Sequence, residues 1–167
     1  MKTIFRVGCA MLLAAAYAPA QEAAVTLESA EQFRSAVAFG TSLADVSAAA
    51  DDMAELQEMA ERVLILDGVA ASVTVYSVEE DDFYVEVELV SGSWEGLESM
   101  NVHTAYVVLD DVSFADQVAE REPRDPPANM ILRNRRVLVA GRLVNVAEAP
   151  TGELIPVIQA FEARVIR

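Results

Sequence analysis

The sequence predicts a mainly β fold with α: N-terminal helices followed by a five-stranded Greek-key barrel with a short helix between strands three and four. Three observations carry that reading. The hydrophobic period falls from about 3.6 residues to about 2 near Val63, the change from an amphipathic helix to strands. Two β-branched-rich runs, Arg136–Val146 and Leu154–Ile166, flank Ala149-Pro150-Thr151-Gly152, a hairpin signal because Pro and Gly supply the turn dihedrals. The chain has 167 residues, 53% hydrophobic and 23% charged, a globular composition with volume for one core.

Residues 1–20 read as a signal peptide and not as part of the fold. Lys2 and Arg6 form a positive start, and Val7 to Ala16 is an apolar run too short to span a bilayer. Ala18-Pro19-Ala20 offers small residues for cleavage. The protein is therefore expected to be exported, periplasmic or extracellular, with no stable membrane insertion after cleavage. Cys9, the single cysteine, sits ahead of most of the apolar run, so lipidation is not expected. The mature chain would hold no disulfide, thiolate metal site or cysteine nucleophile. It would keep ten basic residues (12 less Lys2 and Arg6), all arginine, against 27 acids, a formal charge of −17. Such a surface favours solubility and repels nucleic acid and anionic lipid.

The remaining chain divides into a helical segment, 21–62, and a barrel domain, 63–167. Ser29-Ala30-Glu31-Gln32 matches a capping box and opens a short helix that Gly40-Thr41-Ser42 ends. Leu43, Val46, Ala50, Met53, Leu56, Ala60 and Val63 recur every three or four residues, which predicts one amphipathic helix with an acidic outer face. Leu64–Tyr76 is a long strand with Gly68 at a bulge or bend. Glu79–Asp82 is a polar hairpin tip. Phe83–Leu89 alternates cleanly, with Tyr84, Glu86 and Glu88 on one face. Ser91–Gly96 reads as a loop and Met100–Leu109 as the third strand. Ser113 to Glu122 reads as a short helix that Pro123 and Pro126-Pro127 break. Pro156 cannot donate to a ladder, so the start of the fifth strand is expected at an edge or unpaired position.

A helix between the third and fourth of five strands is the chain order of an OB-fold. Leu64 to Ile166 resembles the OB-fold proteins of bacterial envelopes, of the tRNA_anti-like and BOF types. The resemblance is carried by Leu66-Asp67-Gly68-Val69 and by Val137-Leu138-Val139-Ala140-Gly141-Arg142-Leu143. The helical prefix lacks the Asn/Ala/Tyr pattern of the first group, and no site residue carries over. A β-sandwich with a helical prefix is the alternative architecture.

No phosphate loop, dinucleotide fingerprint, nucleophile elbow or zinc-protease motif occurs. His103, the single histidine, lies in a strand and matches no catalytic signature. Glu79–Asp82 lacks the ligand spacing of a calcium loop. No catalytic residue, metal or cofactor is therefore assigned, and the protein is expected not to be an enzyme. The scattered carboxylates could form a glycosidase-like pair, but acids are too abundant here for that to be diagnostic. Arg121, Arg124, Arg133, Arg135, Arg136 and Arg142 fall within residues 121–142 against only Glu122 and Asp125. Guanidinium groups so gathered can grip carboxylate or phosphate, or can dock on the chain's own acidic helix or on a second copy. The candidate ligand-binding residues are Trp94, Arg133, Arg135, Arg136 and Arg142. The leading expectation is a non-enzymatic envelope protein whose barrel binds a protein partner or itself; the alternative is a small anionic ligand or oligosaccharide at the barrel mouth. Tyr84 stands beside Glu86 and Glu88 where OB-folds seat nucleic acid, so nucleic acid is disfavoured.

Overall fold

A computed structural model describes residues 30–95 and 99–166. The expected signal peptide (residues 1–20), the Ser29 cap and Gly96 of the expected Ser91–Gly96 loop lie outside the described residues. Among the described residues three short helices, α1 (Ala30–Ala36), α2 (Leu43–Ala48) and α3 (Met53–Ala60), precede the barrel. Its strands are β2 (Val63–Ser77), β3 (Tyr84–Glu95), β4 (Ser99–Leu109), β5 (Arg136–Glu148) and β6 (Leu154–Ile166); a two-residue β1 (Val37–Ala38) adds in parallel to β2.

The order β2-β3-β4-β6-β5 closes because β2 also pairs with β5. The first half of β2 meets β5, from Leu64↔Gly141 to Val69↔Arg136. Its second half meets β3, from Val69↔Val90 to Ser77↔Tyr84. One strand can serve two neighbours only by bending, and the irregularity between Ala70 and Ser72 falls at the handover. β4 and β6 pair in parallel through Tyr106–Val108, which completes a five-stranded OB-fold barrel.

The interior is the alternate-residue face that the period predicts: Leu64, Leu66, Val85, Val87, Leu89, Val107, Leu109, Val137, Val139 and Ile158 are all buried. Leu43, Val46 and Ala49 of the α2 region join the same core, with α2 packed chiefly on β4. The second helix is not the single one expected from 43 to 63. Asp52 is extended (φ −116°, ψ 102°) and its carboxylate accepts from the backbone N–H groups of Ala54 and Glu55, so it stops one helix turn and caps α3. A cap that periodicity did not reveal also opens α2: Ser42 and Asp45 exchange side-chain and backbone hydrogen bonds. Between β4 and β5 a 3₁₀ turn, Val112–Phe114, replaces the expected helix, and Asp111 rather than Ser113 caps it. The chain from 91 to 95 is strand, not loop. Backbone pairing continues from Ser91↔His103 to Glu95↔Ser99 past the last β2 partner, so β3 and β4 run on as a two-stranded arm.

Gly68 and Gly141 both face inward in the β2–β5 ladder, which runs through Gly68 without a register shift, so the irregularity of β2 falls at Ala70–Ser72 and not at the glycine. A Cβ on Gly68 would lie 2.8 Å from Leu89 Cγ and 2.8 Å from the Val90 carbonyl oxygen. Pro156 opposes Val146, and pairing of β6 with β4 begins only at Val157. The hairpin turn stands where it was expected, with Gly152 at φ 86°.

Candidate functional site

Folding sorts the outer surface of the barrel into two chemically opposite regions. The first is built on β5 and β6. Residues 136, 138, 140, 142 and 144 alternate outward along β5, which places Arg136, Leu138 and Arg142 in one file. Arg136 is anchored to the Asp67 carboxylate across the β2–β5 ladder. Arg142 lies 5.8 Å from the ring centroid of Phe161, which is 50% exposed, a geometry in which the guanidinium is drawn to the ring face. Arg164 on β6 pairs with Glu162 at 3.1 Å. Arg133 and Arg135 stand exposed on the turn that leads into β5. That turn is held on β2: Asn134 N–H donates to the Ala70 carbonyl at 2.8 Å and Ala70 N–H to the Arg135 carbonyl at 2.9 Å. Asn134 takes the left-handed backbone (φ 65°) that its short polar side chain tolerates. The turn thus presents both arginines from a backbone hydrogen-bonded to β2.

Of the five candidate residues, the structure places Arg133, Arg135, Arg136 and Arg142 at the start of β5 and along it. Trp94 is not brought to them. It is 73% exposed on the β3–β4 arm opposite Met100, on a strand that shares no ladder with β5. None of the five lines either of two cavities: one of about 150 Å³ against Ala38, Thr41, Glu55, Glu58, Met59 and Arg62, and one of about 250 Å³ between Gln117, Asn129 and Glu162–Val165. Among the described residues no ion pair joins these arginines to the acidic α3. Phe161 was missed from sequence. It stood only as one residue of the Leu154–Ile166 strand; alternation from buried Ile158 and Ala160 turns it outward, and the pairing of β6 with β5 brings it beside Arg142.

The second region is the outer face of β2, β3 and β4. Register puts Thr74, Glu86 and Val108 in one row and Ser72, Glu88 and Tyr106 in the next, with Tyr76 and Tyr84 at one end. The Tyr76 and Tyr84 rings pack at 5.5 Å. Partial burial, and then Glu86, pushes the Tyr84 phenol up; burial followed by Glu88 and Glu86 does the same for Tyr106. The acidic tip residues Glu80–Asp82 form a 3₁₀ turn beside this face. His103 sits at the base of the arm, where its Nε2 lies 3.2 Å from Ser93 Oγ. Among the described residues no cluster of His, Cys, Asp or Glu is arranged to hold a metal ion, and no helix is long and apolar enough to cross a membrane.

The fold and its surface define an OB-fold protein with one basic-aromatic and one acidic-aromatic face. No family model matches the chain, and no curated protein matches it. Solved structures do. The N-terminal domain of PriB from Thermoanaerobacter tencongensis is 13% identical, with 63% of this chain and 96% of that one covered at a TM-score of 0.36. The small single-stranded DNA-binding protein of Streptomyces coelicolor is 14% identical, with 62% and 91% covered at 0.40. The Plasmodium falciparum SSB in complex with ssDNA is 13% identical, with 63% and 94% covered at 0.40.

Two expectations are corrected at this point. The chain was read as an envelope protein that binds a protein partner or itself, with a small anionic ligand or glycan as the alternative, and nucleic acid was disfavoured as a partner. The structures it is similar to are single-stranded DNA-binding proteins instead. The physical reason for the misreading is that one acidic strand face stood for the whole surface. Net charge does not report how charge is distributed, and here the arginines collect on the other side of the barrel.

Proposed function

We propose that this chain is a non-enzymatic OB-fold protein that holds single-stranded nucleic acid across β5 and β6. The observation that carries the reading is Arg142 over the exposed Phe161 ring, in file with Arg136 and beside Arg133 and Arg135. An exposed ring offers a base a stacking surface whatever its sequence, and guanidinium groups track the phosphates between bases. Arg133, Arg135 and Arg142 have no carboxylate partner among the described ion pairs, so their charge is available to phosphate. The face keeps apolar Leu138 and Val144 beside the arginines, which suits sugar and base edges. The acidic remainder lowers affinity through long-range repulsion and confines the strand to this face.

Fluorescence anisotropy of labelled oligothymidylate at low salt checks this. Binding is expected with a slope of log K against log salt of about −2, as about three arginines would give on a single strand. Phe161→Ala is expected to cost about 1–3 kcal/mol of binding, and Arg142→Gln to make the salt slope shallower. Absence of binding at low salt would overturn the reading.

Residues 1–20 support export as part of the same proposal, so that the strand would be met outside the cytoplasm. A reporter active only after export, fused behind Ala20, is expected to be active; a cytoplasmic reporter signal alone would remove this part. The narrower likeness to tRNA_anti-like and BOF-type proteins rests on Leu66–Val69 and Val137–Leu143 and stays a proposal of kinship only.

A further inference from the structure

We propose that the outer face of β2, β3 and β4 docks an extended, arginine-rich segment of a partner protein. The face is made of rings and carboxylates. Tyr76 is 63% exposed and Tyr84 39%, with their rings packed together, and Tyr106 lies two rows along. On β3, Glu86 stands in the row between Tyr84 and Tyr106 and Glu88 directly opposite Tyr106, and Asp110 follows the end of β4. No lysine or arginine occurs from Val63 to Glu120, so the strands that build the face supply it with no cation. Neither glutamate takes part in an ion pair among the described residues.

The carboxylates are held rather than loose. Ser72 Oγ donates to Glu88 Oε2 at 3.0 Å, and Gln159 Nε2 donates to Asp110 Oδ2 at 2.7 Å. Each keeps acceptor capacity for a further donor. Burial first, and then Glu86 at Tyr84 and Glu88 with Glu86 at Tyr106, pushes both phenols up.

Ring faces and carboxylates together select a cation, because the negative face of an aromatic ring and a carboxylate attract the same charge. Guanidinium fits better than ammonium. It is planar and weakly hydrated, so it stacks on tyrosine while its edge meets a carboxylate in a fork. Spacing argues for an extended chain. Tyr84, Glu86 and Glu88 are alternate residues of one strand and repeat about every 7 Å, the repeat of alternate side chains in an extended peptide. A phosphate backbone is repelled here, so this surface and the nucleic-acid face on β5–β6 are separate, and either assignment can fail alone.

The test uses the full chain and a fluorescein-labelled peptide of alternating arginine and threonine. Saturable binding is expected. Tyr84→Leu, and the pair Glu86→Gln with Glu88→Gln, are each expected to weaken it by about tenfold, while Tyr84→Phe leaves it within about twofold. The pair Glu55→Gln with Glu58→Gln removes the same charge from α3 and is expected to change affinity by less than about twofold. Circular-dichroism melts confirm that each variant is folded. Three results would overturn the proposal. Equal weakening by the α3 pair would reduce the effect to long-range charge. Equal affinity for spermine would assign the face to a polyamine. A concentration-dependent dimer in sedimentation, dispersed by Glu86→Gln with Glu88→Gln, would assign it to a second copy.

Discussion

Gly141→Val is expected to unfold the barrel. Gly141 faces inward where β5 passes between β2 and β6, opposite Leu64 on one side and Ala160 on the other. A Cβ there would press on the carbonyl oxygen of Gln159 and come within 2.8 Å of Ile158 Cγ2. The first obstacle is backbone, so no rotamer change relieves it. Relief requires β6 to move away from β5, and β6 is the strand that closes the barrel onto β4. Overpacking of a buried site costs about 1–3 kcal/mol when side chains can yield, and a backbone obstacle puts valine above that range. A single domain has about 5–15 kcal/mol in total. Urea denaturation followed by circular dichroism is expected to show the midpoint lost or displaced by several kcal/mol. An unchanged midpoint would mean that Gly141 is not a closure position.

Leu89→Ala is the second large effect, expected at about 2–5 kcal/mol because a fully buried leucine leaves a cavity as well as lost transfer energy. Leu89 is also the side chain that fills the space in front of Gly68. Gly68→Ala alone is expected to cost about 1–3 kcal/mol, since its methyl meets Leu89 Cγ and the Val90 carbonyl oxygen. The two changes should therefore be coupled. In the double variant the new methyl enters the space that the leucine vacates, and the combined loss is expected to fall short of the sum by about 1 kcal/mol. Additive losses in a double-mutant cycle by urea denaturation would show that the Val90 carbonyl, not Leu89, limits position 68.

Strand content was legible because alternation is local. Val85, Val87 and Leu89 point inward in the structure as their spacing required, and the turn at Ala149–Gly152 announced itself through Pro and Gly. The helical prefix was less legible. The apolar period from Leu43 to Val63 survives a break, because helices on either side of Asp52 can keep one buried face while a side chain caps the second. The arm from Ser91 to Glu95 was missed because serine and glycine carry little strand preference, and pairing with β4 decides the matter through backbone hydrogen bonds alone. The site was legible in part: the arginine cluster is visible in composition, whereas Phe161 beside Arg142 depends on which strands pair and in what register.

By itself the amino-acid sequence determined which residues alternate into a core and that the arginines crowd the approach to the last hairpin. These are properties of neighbours along the chain, set by sterics and by the period of side chains. Tertiary structure alone decided that β2 divides its pairing between β3 and β5, that Trp94 stands apart from the arginines, and that acid and base occupy separate faces. Alternation says whether a side chain points in or out. It does not say at what angle around the barrel an outward side chain stands, because that angle is set by which strands pair and in what register.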